Sequence, residues 1–187
     1  WVDAHGDLNT PHTSETGNLH GMPVGMLMAA DDYRTQVPGF KWLRGFPRLA
    51  PEKLVYIGAR DLDPAERKEI RAKNIKCFTM HEVDRYGIGE VVRRAIDHLG
   101  PTTPLHLSYD IDAVDPDVAP ATGTVVRGGF NFREAHYIAE AVAETDRLAS
   151  MDMVEINPTL KPTAGAGDAT VELGLALVAS ALGARIL

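Results

Sequence analysis

The chain has 187 residues, 44% of them hydrophobic, so it can bury one sizeable core and is most simply a single domain over 1–187. Its net charge of −7, without a block of lysine or arginine, argues against a nucleic-acid partner or an anionic membrane. No apolar run approaches the roughly 20 residues that span a bilayer. A single cysteine, Cys77, fits a reducing, cytoplasmic compartment.

Strands and helices alternate along the chain, which is typical of a parallel α/β sheet. Strands are expected at 1–3, 53–58, 76–80, 105–111 and 150–156. Helices are expected at 22–30, 64–73, 83–99 and 131–146, with a last helix capped by Asp168. The stretch 31–51, rich in proline, glycine and aromatic residues, is expected to be irregular.

The clearest helix start is Asp63-Pro64-Ala65-Glu66. Aspartate suits the cap, proline the first helical position and glutamate the third, because these side chains satisfy or avoid the free backbone N–H groups. This local reading needs no ligand. It therefore competes with any functional role for Asp63 and Glu66.

Acidic residues and histidines gather in three short clusters. These are Asp3-Ala-His5-Gly-Asp7, Asn18-Leu-His20-Gly21 and Ser108-Tyr-Asp110-Ile-Asp112-Ala-Val-Asp115-Pro116. In an extended strand, side chains two residues apart point to the same face. We therefore expect Asp3, His5 and Asp7 to converge, and Asp110 to converge with Asp112.

Four carboxylates brought together repel one another unless about four positive charges lie among them, and two divalent cations supply that charge. Oxygen-rich ligands with an imidazole suit Mn²⁺ better than the thiolate set of a zinc site. Each aspartate alone reads more simply as a loop or cap residue, and each histidine as a surface residue. Their joint occurrence favours the metal site.

Ligands of open parallel sheets gather beyond the carboxyl ends of the strands. The two metal-type clusters fall at such ends, and so do Asp61, Asp63 and Glu155. All of these side chains are therefore expected to line one crevice.

The chain resembles the ureohydrolase family, and within it the bacterial-type arginases. The resemblance rests on the clusters above together with Glu15-Thr-Gly-Asn18, Pro120-Ala-Thr-Gly123-Thr124 and Met153-Val-Glu155-Ile-Asn157-Pro158. It implies a three-layer α-β-α fold with a mainly parallel sheet, from which the amino-terminal strands are missing. It also implies hydrolysis of L-arginine to L-ornithine and urea by a hydroxide that bridges two Mn²⁺ ions.

The resemblance implies a role for each matching residue. Asp3 and Asp110 would bridge the ions, Asp7 would bind the first, and His5 and Asp112 would bind the second. Glu155 would pair with the guanidinium beside Thr124, while Asp7 and His20 would move protons. The substrate α-carboxylate would meet Asn9, Ser14, Thr16 and Asn18, and the α-ammonium would meet Asp63 and Glu66. Thr16 stands where the family has serine, which keeps the hydroxyl but adds a methyl group.

One feature departs from the family pattern: no Gly-Gly-Asp-His run, the source of a further metal-binding histidine, is present. The chain is therefore expected to be a carboxy-terminal portion of a longer arginase that binds the first metal weakly and is poorly active alone. Agmatinase is an alternative, with the same metals and a decarboxylated substrate. A catalytically incompetent metal-binding or assembly fragment is another, since arginase-like chains form trimers or hexamers.

Overall fold

The computed structural model describes residues 1–30, 34, 37–160 and 162–184. Its sheet contains four strands: β1 (Val55–Ala59), β2 (Lys76–Thr79), β3 (Leu105–Asp110) and β4 (Leu148–Val154). β1 pairs with β2, and β3 pairs with β4, both in parallel. Val2 joins the two pairs through parallel bridges to Ile57 and Tyr109.

The expected first strand is thus reduced to a bridge at Val2, but it occupies the middle of the sheet. The Val2 N–H donates to the Ser108 carbonyl at 2.9 Å, and the Asp110 N–H donates to the Val2 carbonyl at 2.8 Å. On the other side, the Asp3 N–H donates to the Ile57 carbonyl at 3.2 Å. The order β2, β1, Val2, β3, β4 therefore brings Asp3 next to the carboxyl end of β3.

Six helices flank this sheet within the described residues. They are α1 (Pro23–Met28), α2 (Pro64–Ala72), α3 (Met80–Tyr86), α4 (Ile88–Leu99), α5 (Phe132–Ala143) and α6 (Ala166–Ala181). Short 3-10 turns occur at Leu19–Gly21, Lys41–Leu43, Pro51–Lys53 and Ile111–Ala113. None of the helices in the described ranges is long and apolar enough to cross a membrane.

The two faces of the sheet pack into different cores because side chains alternate along a strand. On β1, Val55 and Ile57 join the larger core, formed with helices α4, α5 and α6. Leu54, just before the strand, and Tyr56 join a second core that includes Val24 of α1 and Ile70 of α2. Helices cover both faces, so the α/β fold with parallel strands and three layers is confirmed.

Most helix starts follow the expected chemistry. Glu66 closes a capping box with Asp63 at the start of α2, as the sequence predicts. Asn131 caps α5 by accepting the Glu134 N–H at 3.0 Å. Thr79 and Glu82 form a third capping box, so α3 begins at Met80, where a strand residue was expected.

Three expected boundaries are wrong. The single helix over 83–99 is two helices, because Gly87, at a φ of 78°, leaves the helical conformation. β4 runs two residues earlier than expected, since Glu155, at a φ of 62°, ends the extended backbone. The last helix begins at Ala166 after Gly165, which places Asp168 in its first turn and not at its cap.

Of the expected irregular stretch, residues 31–33, 35 and 36 lie outside the described residues. The remainder carries only short 3-10 turns, in agreement with the sequence. A single domain over 1–187 stays a prediction.

Candidate metal centre and substrate cleft

The two Asp-x-(His/Asp) runs form the same local turn at the ends of neighbouring strands. One carboxylate oxygen of Asp3 accepts the His5 N–H at 2.6 Å, and one of Asp110 accepts the Asp112 N–H at 2.8 Å. In each run the aspartate side chain bonds to the backbone two residues on, which reverses the chain. The expectation of an extended strand through these runs is therefore wrong, although the side chains do converge.

The turns bring the metal-type side chains into two groups that share Asp3. Asp3, His5 and Asp112 form one group, and Asp3, Asp7 and Asp110 form the other. Within each group, one donor atom from every residue lies within 4.8 Å of the others. Such a pair of neighbouring groups can hold two cations. Asp110 belongs to only one of them, so its bridging role stays a prediction.

His5 connects the aspartates of the first group. Its Nδ1 lies 3.0 Å from Asp112 Oδ2 and 3.4 Å from Asp3 Oδ1. Although burial opposes a charge on the ring, hydrogen bonds to Asp112 and Asp3 raise the pKa of His5 to about 11. The same contact overcomes the effect of burial on Asp112, whose pKa lies below its ordinary value.

Asp7 and Asp110, the two members of the second group that His5 does not contact, have no such ion pair among the described residues. Burial and the neighbouring charges of Asp3 and Asp112 raise the pKa of Asp110. Burial and Asp3 likewise raise the pKa of Asp7. Carboxyls that resist ionisation in this way indicate a site built for positive charge, and hard divalent cations fit its oxygen donors.

Neighbouring groups of the protein also donate hydrogen bonds to the carboxylates of Asp3 and Asp112. The indole N–H of Trp1 donates to Asp3 at 2.8 Å, and the Ala4 N–H donates to Asp112 at 3.2 Å. The Thr124 hydroxyl donates to Asp112 at 3.0 Å. Such contacts fix the direction of the ligand oxygens before any ion arrives.

A cavity of about 340 Å³ opens over this centre. Every other residue expected at the site lines it, while Asp3 lies beneath at 1% exposure. The lining consists of His5, Asp7, Asn9, Ser14, Thr16, Asn18, His20, Gly21, Asp61, Asp63, Glu66, Asp110, Asp112, Thr124 and Glu155. The crevice expected at the carboxyl ends of the strands is therefore present.

The loop before α1 forms one wall of the cavity through local turns. The Ser14 hydroxyl accepts the Gly17 N–H at 2.9 Å, and the Thr16 hydroxyl accepts the Asn18 N–H at 3.2 Å. A hydroxyl that accepts one hydrogen bond still has its own hydrogen to donate. Both side chains can therefore offer O–H groups to an anionic part of a ligand.

Asp63 and Glu66 also have structural partners. The buried Glu66 carboxylate accepts the N–H groups of Leu8 and Asp63, both at 2.9 Å. Asp63 accepts the side-chain amide of Asn9 at 2.8 Å. These contacts join the start of α2 to the loop, so the helix-start reading holds for Glu66 whether or not a ligand binds.

Known proteins resemble this chain throughout its length. The sequence pattern described as "Arginase family" matches residues 1–183. The chain belongs to the arginase family. It is 55% identical to the arginase of Glaciozyma antarctica and 51% identical to that of Coccidioides posadasii. Both matches cover 100% of this chain but only 54% and 57% of the relatives, so the chain spans just over half of their length.

Solved arginase structures agree with the family and the fold. The Bacillus caldovelox arginase aligns over 100% of this chain and 60% of its own, with a TM-score of 0.89 and 40% identity. The Entamoeba histolytica arginase in complex with L-ornithine covers 98% of this chain and 59% of its own, with a TM-score of 0.84 and 31% identity. A Bacillus subtilis formimidoylglutamase, 21% identical over 98% of this chain and 53% of its own, shares the fold with a TM-score of 0.69.

Two site residues of this arginase-family chain hold an uncommon backbone conformation. Asp7 has a φ of 49° and Glu155 a φ of 62°, in the left-handed region that favours glycine. The other such non-glycine residues in the described chain, Asn74 and Asp146, follow helix ends. Backbone strain of this kind clusters at functional sites, and both residues line the cavity.

The sequence placed Asp61 among the side chains expected to line the crevice but gave it no role at the site. Asp61 lines the cavity, and its Oδ2 lies 3.9 Å from His5 Nε2. The sequence contained a signal for such a role, because Asp61 and Asp63 follow β1 with the same two-residue spacing as the metal-type runs.

Proposed function

We propose that this chain carries the catalytic centre of a manganese-dependent arginase, which hydrolyses L-arginine to L-ornithine and urea. The observation that supports this most directly is the pair of donor groups sharing Asp3, set beneath a cavity lined by the family's substrate-type residues. Because the chain spans just over half of its curated relatives, the proposal concerns the activity of the whole protein.

In this proposal two Mn²⁺ ions would be held jointly by Asp3 and Asp110, with Asp7 as a further ligand of the first ion and His5 and Asp112 as further ligands of the second. Oxygen donors with a single imidazole suit Mn²⁺. When bound, the ions would offset the carboxylate charges and would make hydroxide available near neutral pH.

The protein's own side chains would bind and orient the guanidinium. This cation resists attack by neutral water and stays protonated, so a carboxylate is a suitable partner. Glu155, on the cavity wall, would pair with it, and the Thr124 hydroxyl would lie beside it. Asp7 would pass a proton to the departing nitrogen, and His20 would exchange protons with solvent at the mouth.

The other end of the cavity would recognise the amino acid. Asn9, Ser14, Thr16 and Asn18 would contact the α-carboxylate, and Asp63 would receive the α-ammonium. Glu66 would add negative charge behind Asp63, since both of its oxygens already accept backbone N–H groups. The ornithine named with the Entamoeba histolytica arginase is a ligand of this chemistry.

Turnover and binding, measured together, test the proposal. With Mn²⁺ present, we expect urea from L-arginine, and none when Asp110 is replaced by alanine. Agmatinase would instead release urea from agmatine. Because the chain alone is expected to be poorly active, calorimetric binding of L-ornithine and of putrescine gives a second comparison. Preference for putrescine would contradict the arginase proposal.

A second candidate is metal binding without catalysis, in an assembly role. A larger cavity, of about 780 Å³, meets the same centre at Asp7, His20, Asp110 and Glu155. A centre open on two sides excludes water poorly, which favours this candidate for the chain alone. Mn²⁺ uptake without urea from either substrate would support it. We also propose a homotrimer or homohexamer, which native mass spectrometry tests directly.

A further inference from the structure

Arg60 follows β1 and extends its half-buried side chain between three segments of the chain. Nη2 donates to the carbonyls of Asp112 and Val126, each at 2.7 Å. Nη1 donates to the carbonyls of Ala113 at 3.1 Å and Gly58 at 3.3 Å. Nε donates to Val126 at 3.3 Å. One guanidinium thus joins the end of β1, the turn after β3 and the loop that follows.

These carbonyls belong to the segments that carry Asp112, a member of the group Asp3, His5 and Asp112, and its neighbour Thr124. Asp112 contributes its carboxylate to that group. Val126 lies two residues after Thr124, whose hydroxyl donates to Asp112 at 3.0 Å. Arg60 therefore fixes the backbone on both sides of the contact between Thr124 and Asp112.

Asp115 secures the far end of the same loop. Its Oδ2 accepts the N–H groups of Gly128 at 2.8 Å and Gly129 at 3.0 Å. A Cβ on Gly129 would lie 2.5 Å from the Asp115 nitrogen, so the backbones at the two ends of the loop are in close contact. Further along the loop, the Ala121 N–H donates to the Thr170 hydroxyl at 3.1 Å and its carbonyl accepts the Asn157 N–H at 2.9 Å. Arg60 holds the part of the loop around Val126, which these contacts do not reach.

We propose that Arg60 is a positioning residue that aligns the Asp112 carboxylate and the Thr124 hydroxyl for the second metal ion. The inference rests on the proposed function and deepens it, because it assigns the alignment of one metal group to a residue that touches neither ion nor substrate.

The geometry requires arginine and not only a positive charge. A guanidinium presents five N–H donors in a rigid plane, and here they reach four carbonyls that lie in different directions. A lysine has three donors on one nitrogen, so it cannot reproduce the five contacts that Arg60 makes from three nitrogens. Arg60→Lys therefore separates alignment from charge.

Calorimetric titration with Mn²⁺ alone tests the proposal on four proteins: the unchanged chain, Arg60→Gln, Arg60→Lys and Arg71→Gln. Arg71 is an exposed arginine on α2 and serves as the matched control. We expect both Arg60 variants to bind Mn²⁺ at least about tenfold more weakly, which is the usual scale for residues that orient metal ligands. Arg71→Gln should bind as the unchanged chain does.

Hydrogen exchange followed by mass spectrometry provides the readout that general destabilisation would not reproduce. In Arg60→Gln we expect faster exchange in peptides from 113–129 and unchanged exchange in α5. Equal acceleration in both regions would overturn the proposal, because Arg60 would then support the whole fold. The proposal would also be overturned if Arg60→Gln bound Mn²⁺ as tightly as the unchanged chain does. That result would leave the proposed function standing. If the unchanged chain takes up no Mn²⁺, the proposed function fails, and this inference fails with it.

Discussion

The metal-binding side of the cleft and the loop opposite it are built in contrasting ways. Asp3, Asp110 and Asp112 are 1%, 4% and 2% exposed. The backbone N–H groups of Asp3 and Asp110 donate to Ile57 and Val2 on neighbouring strands, and the Asp112 carboxylate accepts the N–H of the distant Ala4. The loop residues Ser14 and Thr16 are more exposed and bond mainly to backbone within three residues. The sheet thus fixes the metal-type side chains, while the loop that is proposed to recognise the amino acid depends on short local turns.

This difference separates two kinds of sensitivity. At the metal centre, the folded chain holds carboxylates that repel one another. Removing one of these charges should therefore weaken metal binding but stabilise the metal-free protein. A change in the loop acts on shape, so it should alter ligand binding with little effect on the metals. The following experiments test that separation.

The largest effect is expected at Asp110. We expect Asp110→Asn to weaken Mn²⁺ binding at least about a hundredfold, because a metal-binding carboxylate is lost. The metal-free variant should melt higher than the unchanged chain by about 2 °C or more, since burial and nearby carboxylates disfavour the ionised group. Calorimetry and thermal unfolding in chelator measure the two effects.

The exposed Asp117 provides the matched control. Asp117→Asn should change neither metal affinity nor melting temperature. A fall in the melting temperature of metal-free Asp110→Asn would show that the carboxylate stabilises the fold without an ion.

The dependence on pH should reverse sign with the metal. Burial and the charge of Asp3 raise the pKa of Asp7 to about 8, against an ordinary value near 4. A carboxyl with a raised pKa stabilises the folded state below pH 4, and that stability is lost as the pH rises towards 8. Without metal, the unchanged chain should therefore lose stability relative to Asp7→Asn between pH 5 and 8, by about 1 kcal/mol or more.

With Mn²⁺ the ionised carboxylate is the bound form, so the unchanged chain should gain stability over the same interval. Urea unfolding at both pH values, with and without chelator, measures these slopes. Parallel slopes under the two conditions would contradict the assignment of Asp7 to a metal site.

A smaller effect is expected where α1 packs against the loop. A Cβ on Gly25 would lie 2.1 Å from the Asn9 carbonyl oxygen, whereas one on Gly21 would meet nothing within 4 Å. Gly25→Ala should therefore lower the free energy of unfolding by about 1–3 kcal/mol and weaken L-ornithine binding. Gly21→Ala is the control, and equal losses in both variants would argue against this packing as the cause.

The smallest effect is expected at Thr16. Thr16→Ser keeps the hydroxyl and removes the methyl group, so L-ornithine should bind more tightly by about two- to threefold, an energy below that of one buried CH₂. Putrescine, which lacks the carboxylate, should bind as before. An equal gain for both ligands would place Thr16 elsewhere than at the α-carboxylate.

The fold was largely predictable because local and long-range signals agree. The start of α2 combines Asp63, Pro64 and Glu66, and each of the three favours the same helix boundary. The alternation of strands and helices was enough to predict parallel pairing. The break at Gly87 was missed because apolar spacing continues through it, although a left-handed glycine ends one helix and begins the next.

The sequence predicted which side chains lie together at the candidate site, but not the backbone contacts that bring them together. Spacing by two correctly associated Asp110 with Asp112, yet the association arises from a turn in which Asp110 accepts a backbone N–H. The link from Arg60 to Asp112 spans 52 residues of sequence. No short pattern encodes such a contact, since it exists only once β1 and β3 lie in one sheet.

The backbone of Asp7 and Glu155 has a practical consequence for anyone who engineers this protein. A left-handed φ is one that glycine tolerates better than aspartate or glutamate, so both positions invite replacement in a library selected for heat resistance. Such a selection would discard the two carboxylates on which turnover is proposed to depend. Screens of this chain should therefore select variants for ligand binding as well as for thermal stability.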